Sequence, residues 1–273
     1  MFVCTLGDLT LDVIVRLAGP LAPGGDTEAE IRIRPGGQAA NVAAWAAELG
    51  AKARFVGKTG ADETGSLVRA RLAAVGVEVR GPVGGRNGSI CSFVSPEGER
   101  SMAADRGTAR ELRPDEIEPE WLSGVDHLHV SGYALMVEPV RSAAVRAGEL
   151  ARQAGARISV DLASWSAIRD CGVDAFRTAA HALEPDVVFA NEDEEGVVGR
   201  TGFDAIWILK RGAEGCSFDG DERAAIPVGH ALDSTGAGDA LAAGWIVGGP
   251  DLALEAAARC VQQVGAMPVA SST

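Results

Sequence analysis

The sequence has no cysteine pairs. Its five cysteines (Cys4, Cys91, Cys171, Cys216 and Cys260) are odd in number, far apart and without a CxxC spacing. That argues against a disulfide framework or a cysteine-held zinc site and leads us to expect a reducing, cytoplasmic setting. Basic charge is also in deficit: 38 Asp and Glu against 25 Lys and Arg leave a formal charge of −13. Sequence-independent nucleic-acid binding needs the opposite balance, because a basic surface must displace counterions. A small anionic ligand remains compatible, since a local pocket can be positive on an acidic protein. No apolar run approaches membrane-spanning length, and the opening MFVCTLGDLTLDVIV reads directly as a strand with no basic stretch before it. Neither a membrane span nor a signal peptide is expected.

Several phosphate and nucleophile motifs are missing too. GKT at Gly57 to Thr59 lacks the upstream glycine of a Walker loop, where Lys52 stands instead. No GxGxxG follows the first strand and no GxSxG occurs. His127 and His129 alternate on an expected strand with no cysteine nearby, so no metal site is expected there. Aromatics make up only 5% of the chain, against 47% hydrophobic residues overall. The apolar content is mostly small and aliphatic, which suits alanine-rich helices packed closely on a sheet.

What is present is an alternation. Apolar, β-branched runs (MFVCTLG, ARFVGKTG, VDHLHVSG, ARISVDL, PDVVFAN, AIWILKRG) are separated by amphipathic, alanine-rich stretches. This pattern predicts an α/β fold, a mostly parallel central sheet with helices on both faces. Two segments break the rhythm, residues 13–35 and 79–108, with short alternating strands and turn sequences such as APGGD, GGRNG and SPEGE. They are expected to pair as hairpin-like strands in a small second sheet over a ligand crevice. With no Pro- or Ser-rich linker and no internal repeat, residues 1–273 are expected to form one domain with a lid.

Two glycine-rich turns carry the chemistry. In DSTGAGDALAAGW (Asp233 to Trp245), Gly236, Ala237 and Gly238 lie between two acids and directly before a helical run. Such a turn presents unpaired N–H groups at the positive end of a helix. Asp239 has two readings on spacing alone: a helix cap, or a base that takes a proton from a hydroxyl attacking a phosphoryl group. In PGGQAANVAAWAAELGA (Pro35 to Ala51), Gly36 and Gly37 open a helix and Asn41 lies one turn in. An amide there offers a donor and an acceptor to a polyol, or is simply a satisfied core residue behind a glycine cap.

Together these stretches resemble the two signatures of the ribokinase-like sugar kinases, the PfkB family, and the resemblance spans essentially the whole chain. GDLTLD, VGKTGADETG, ANEDEE and LKRGAEGC are similar to further family stretches and occur in the family's order. The resemblance implies a ribokinase-like fold and transfer of the γ-phosphoryl group of ATP to a hydroxyl of a small sugar or sugar acid. It implies Asp239 as general base, with the amides of Gly236, Ala237 and Gly238 as an anion hole. Asp12, Gly36, Gly37 and Asn41 are implied as sugar contacts, with Arg106 on the lid either reaching a substrate anion or simply solvated. Asn191, Lys210 and Gly212 are implied on the nucleotide side, and Glu194 near Mg²⁺ through water. Asp233 and Thr235 mark where some relatives hold a monovalent cation such as K⁺. Two alternatives accompany this reading: a nucleoside kinase, because SVDLASWS resembles adenosine-kinase-like chains, and a catalytically silent ligand-binding regulator. Free lid edges further suggest a homodimer.

Overall fold

A computed structural model of the chain describes residues 1–96 and 100–268. The tip of the expected SPEGE turn (residues 97–99) and the C-terminal residues 269–273, where no adenine contact is assigned, lie outside the described residues.

The large sheet has nine strands. Seven are parallel: β1 (Phe2–Leu6), β4 (Lys52–Val56), β5 (Val77–Arg80), β8 (His127–Ser131), β9 (Arg157–Asp161), β10 (Val187–Asn191) and β11 (Ile206–Lys210). Two short antiparallel strands, β12 (Cys216–Phe218) and β13 (Asp221–Arg223), extend one edge, giving the order β13-β12-β11-β10-β9-β8-β1-β4-β5. The helices α1 (Gln38–Glu48), α2 (Glu63–Ala74), α3 (Val140–Gln153), α4 (Trp165–Cys171), α5 (Val173–Ala182), α6 (Glu192–Val198), α7 (Ala237–Gly248) and α8 (Pro250–Cys260) cover its faces. Among the described residues no helix is long and apolar enough to cross a membrane.

Strand alternation divides the core in two. Cys4, Leu6, Leu128, Val130, Ile158 and Val160 point to one face, where α3 and α5 pack. Val3, Phe55, Val187, Phe189 and Ile208 point to the other, under α1, α7 and α8. That second face carries a polar stripe in place of aliphatic residues. His127, His129, Ser131, Ser159 and Asp161 share its parity on β8 and β9, and all are buried. Helix α7 packs closely on α1 and α8 because the three are rich in small residues, chiefly alanine. At Gly244 of α7, an added Cβ would lie 2.5 Å from the Leu252 carbonyl and 2.7 Å from Ala253 Cα.

The second sheet is a lid of four strands in the order β3-β2-β6-β7: β2 (Thr10–Leu17), β3 (Ala29–Gly36), β6 (Asn87–Val94) and β7 (Arg100–Gly107). The β2–β3 and β6–β7 pairs are antiparallel, and the two hairpins join through a parallel β2–β6 pairing. The lid therefore begins earlier than residue 13, at Thr10. The start of the expected 79–108 segment belongs elsewhere, because β5 continues the parallel sheet against β4. The reason is visible in Val77, which β5 sends into the core beneath α2.

Candidate active site

A cleft of about 620 Å³ lies between the lid and the C-terminal ends of the parallel strands, the usual ligand position in open α/β sheets and within the ordinary size range for small-molecule sites. Asp8, Asp12, Asn41, Arg106, Tyr133 and Asp239 are on its walls.

The two glycine turns meet here. Gly36 sits so close to the Asp12 carboxylate that any side chain would overlap it. Gly37, at φ +100, faces the Asp8 carbonyl at similarly close range, so the αL-type backbone and the lack of space both require glycine. They start α1 so that Asn41, one turn in, donates from Nδ2 to Asp239 Oδ2 at 2.7 Å. The other turn starts α7 with Gly236 in the left-handed region at φ +79. The N–H groups of Gly238 and Asp239 donate to no acceptor among the described residues, as expected for a first helical turn. An ideal Cβ on Gly238 would stand 3.3 Å from Lys210 Cδ, so the lysine side chain runs directly across this turn. The turn thus offers free donors with a cation beside them, a donor set that fits a phosphoryl group.

Lys210 belongs to a buried cluster of charges. Its Nζ donates to Asp161 Oδ2 at 2.6 Å, and Asp161 has no exposed surface. Burial alone would lower the Lys210 pKa, but the charges of Asp161 and Glu194 outweigh it and raise the pKa. Asn191 and Glu194 form a reciprocal cap at the start of α6: Glu194 N–H donates to Asn191 Oδ1 at 2.8 Å, and Asn191 N–H to Glu194 Oε2 at 2.8 Å. Burial, followed by the negative charge of Asp161, pushes the Glu194 carboxyl up. Asp239 is shifted furthest among the cleft acids, to about 8, first by burial and then by the charge of Asp161, against the opposing Asn41 bond and Lys210. Asp12, which accepts from Thr10 Oγ1 at 3.0 Å, is pushed up to about 6, mainly by burial.

The lid side is organised by Arg106. Its guanidinium pairs with Asp8 and stacks 3.4 Å from the centroid of the Tyr133 ring. Its side chain is only 13% exposed, so the solvated-arginine reading fails. Arg110 also lines the cleft and has no carboxylate partner within salt-bridge distance among the described residues. Two buried acceptors here have no donor: Asp8 Oδ1 and Asn41 Oδ1. Each orphaned acceptor costs about 1–3 kcal/mol until a donor reaches it.

The remaining residues lie behind the turn. Asp233 Oδ1 accepts from Thr235 N at 2.9 Å and Oγ1 at 2.6 Å, while Oδ2 accepts from Gly265 N at 3.1 Å. This ties the turn to the loop after α8. Gly212, at φ +56, opens a short turn beyond β11. His127 and His129 both face Ser159 Oγ, at 2.8 and 2.9 Å, and burial pushes them down to about 3 and 4, so they are neutral core groups. Among the described residues no cluster of three or more His, Cys, Asp or Glu is placed to hold a metal ion.

Asp161, Asp8 and Tyr133 are not among the sites read from the sequence. A signal for Asp161 was available: it shares parity with Ser159 on β9 and ends the strand, the position where sites on parallel sheets collect.

A doubly covered parallel sheet, a small lid sheet and a glycine turn facing a buried acid define a ribokinase-like phosphotransferase. The chain belongs to the pfkB family of carbohydrate kinases, whose sequence profile matches residues 1–273. It is similar to an ATP-dependent ribose-1-phosphate kinase from Halopiger xanaduensis, with 32% identity over 94% of this chain and 90% of that one. A fructokinase from Oryza sativa subsp. japonica is 31% identical over 87% of this chain and 80% of its own. The crystal structure of adenosine kinase from Sinorhizobium meliloti has the same fold, with a TM-score of 0.85 at 24% identity, covering 98% and 96% of the two chains. As a member of that family the chain is a kinase, a phosphotransferase of the carbohydrate-kinase class.

The Asp161–Lys210 pair leads to a direct prediction. Asp161→Asn leaves a buried ammonium with a weaker partner and is expected to lower unfolding free energy by about 3 kcal/mol, measured by chemical denaturation. It is also expected to lower the Asp239 pKa, read by carboxyl-carbon NMR titration. An unchanged Asp239 titration would contradict the coupling.

Proposed function

We propose that the chain transfers the γ-phosphoryl group of ATP to a hydroxyl of a small sugar or sugar acid, with Asp239 as general base. The observation that carries the acceptor class is the pair of orphaned acceptors, Asp8 Oδ1 and Asn41 Oδ1, on the cleft wall. A polyol supplies the hydroxyl donors they lack. Asp12, Asn41 and the close backbone at Gly36 and Gly37 hold the sugar, and Arg106 anchors the lid over it through Asp8 and Tyr133. A purine nucleoside is the weaker reading, because Tyr133 is the sole aromatic side chain on the wall and Arg106 covers its ring.

In this mechanism the amides of Gly236, Ala237 and Gly238 form the anion hole at the start of α7, with the unpaired N–H of Asp239 beside them; in the free protein the Ala237 N–H donates to the Ser234 carbonyl at 3.3 Å and would turn to the phosphoryl group. Lys210 lies across Gly238 and balances charge on the transferring group. A loose phosphoryl-transfer transition state needs positioning and electrostatic support more than covalent help. Asp239 is neutral in the free protein until the pH approaches 8, so it does not repel the incoming phosphate. Once ionised, it accepts the proton of the attacking hydroxyl. Asn191, Glu194 and Gly212 would border the nucleotide, and Glu194 would hold Mg²⁺ through water, the ion supplying charge neutralisation on the phosphates. A monovalent cation at Asp233 and Thr235 would stiffen the loop before the anion hole. The lid excludes water from the reacting groups.

The lid also supports a homodimer. On the lid face that alternates with the cleft-lining Asp12, Ile90 and Ala104, strand register groups Val13, Val15, Ile31, Ile33, Cys91 and Phe93. Ile31 and Ile33 are 63% and 41% exposed on the edge strand β3, an apolar surface suited to a second copy. Sedimentation velocity is expected to give a dimer for the wild type and a monomer for Ile33→Asp; a monomeric wild type would refute it.

The catalytic assignment is tested by ADP release with Mg²⁺ and ATP over pentoses, hexoses, sugar acids and nucleosides. Asp239→Asn is expected to lose roughly 10²–10⁴-fold in turnover with the active acceptor while retaining its binding. Near-normal turnover in that variant would overturn the assignment.

A further inference from the structure

A second cavity, of about 320 Å³, lies behind the anion-hole turn. Its walls are the end of β3, the C-terminal part of α2 and the loop after α8. Pro35, Val75, Val264, Ala266 and Met267 make it largely apolar, and among the described residues the charged ones on it are Arg34 and Arg71.

Other arginines also lack a carboxylate partner among the described residues, Arg16, Arg69 and Arg110 among them, but Arg34 and Arg71 meet at one apolar cavity. The chain carries more acid than base, and Arg54, Arg211, Arg223 and Arg259 each pair with a carboxylate. Arg71 is partly buried, yet its guanidinium donates only to the Ile33 carbonyl, at 3.1 Å. Arg34 reaches the same carbonyl at 3.4 Å, and among the described residues neither arginine has a carboxylate partner within salt-bridge distance. Two arginines, Arg34 exposed at the rim and Arg71 partly buried, therefore line one apolar cavity, each donating to a single carbonyl among the described residues. A planar fork of this kind matches a carboxylate in two parallel bonds, and the apolar walls fit a hydrocarbon body behind it.

The cavity also touches the catalytic turn. Ala266, on its wall, fills the space beside Gly236, where an added Cβ would lie 2.5 Å from Ala266 Cβ. The Ala266 carbonyl accepts from Trp45 Nε1 at 2.8 Å, on the helix that carries Asn41. Gly265, beside it on the wall, donates to Asp233. A displacement of residues 264–267 thus meets both the α7 turn and α1 directly.

We propose that this cavity is a regulatory site for a small organic carboxylate with an apolar body, held by Arg34 and Arg71, and that its occupation reaches the anion-hole turn through Gly265 and Ala266. The inference does not depend on which acceptor the active cleft takes, and its test needs no turnover.

The experiment titrates the full-length, isotope-labelled protein with benzoate, and with benzyl alcohol as its neutral counterpart, following methyl and amide NMR signals. Benzoate is expected to give saturable shifts at the methyls of Val75, Val264 and Met267, with a Kd of about 1 mM or tighter. The amides of Gly236 to Asp239 are expected to shift with the same midpoint. Benzyl alcohol, and benzoate with Arg71→Gln or Arg34→Gln, are each expected to bind at least about tenfold more weakly, a loss of ~1.4 kcal/mol. The unperturbed spectra of the two variants establish that they fold. Equal binding of benzoate and benzyl alcohol, or the absence of saturable methyl shifts, would overturn the site. Methyl shifts without amide shifts would overturn its connection to the turn.

Discussion

Burial of several acids around one lysine is the constraint on which the site depends. Asp161 ends β9 and Glu194 lies in the first turn of α6, both with almost no exposed surface, and Lys210 at the end of β11 bonds to Asp161 and feels the charge of both. Asp239 faces them from the start of α7. Removing so many charges from water is tolerated only because each has a partner, whether an ammonium, an amide or a helix-capping N–H. The same burial gives Asp239 a pKa far above that of an ordinary aspartate, and it places a cation across the turn at which the Gly238 and Asp239 amides are free.

Small residues make that geometry attainable. Asp12 occupies the space a side chain on Gly36 would take, and Lys210 runs where a side chain on Gly238 would crowd it. Helices α1 and α7 can lie close over the polar stripe of β8 and β9 because they are rich in small residues, chiefly alanine. Asn41 is then within hydrogen-bonding reach of Asp239, although 198 residues separate them in sequence. Low aromatic content, which in the sequence suits helices packed closely on a sheet, is the condition for this close approach.

The parallel sheet and the two glycine turns were legible in the sequence because each rests on local order: strand alternation, amphipathic spacing, and glycines placed before helices. The lid was legible as two interruptions, but its edges were not. Val77 to Arg80 alternates like a lid strand, and only its pairing with β4 puts it in the large sheet. Asp161, Asp8 and Tyr133 escaped for a different reason. Asp161 acquires its role from Lys210, 49 residues away, and Asp8 from Arg106, 98 residues away. Nothing in their own neighbourhoods announces those partners. Asp233 was noticed for its place in the glycine turn, yet its tie to Gly265 depends on where the chain returns after α8.

The account rests on Asp239 acting as a base that must first lose a proton held by its buried setting. The most direct measurement is the pH dependence of kcat/KM, which reports ionisations of the free enzyme. With Asp239 at about 8 and Asp12 at about 6, kcat/KM should rise about tenfold per pH unit between pH ~6 and ~8, level off above, and fall more steeply below pH ~6. A profile that is already flat between pH 6 and 8 would contradict the account.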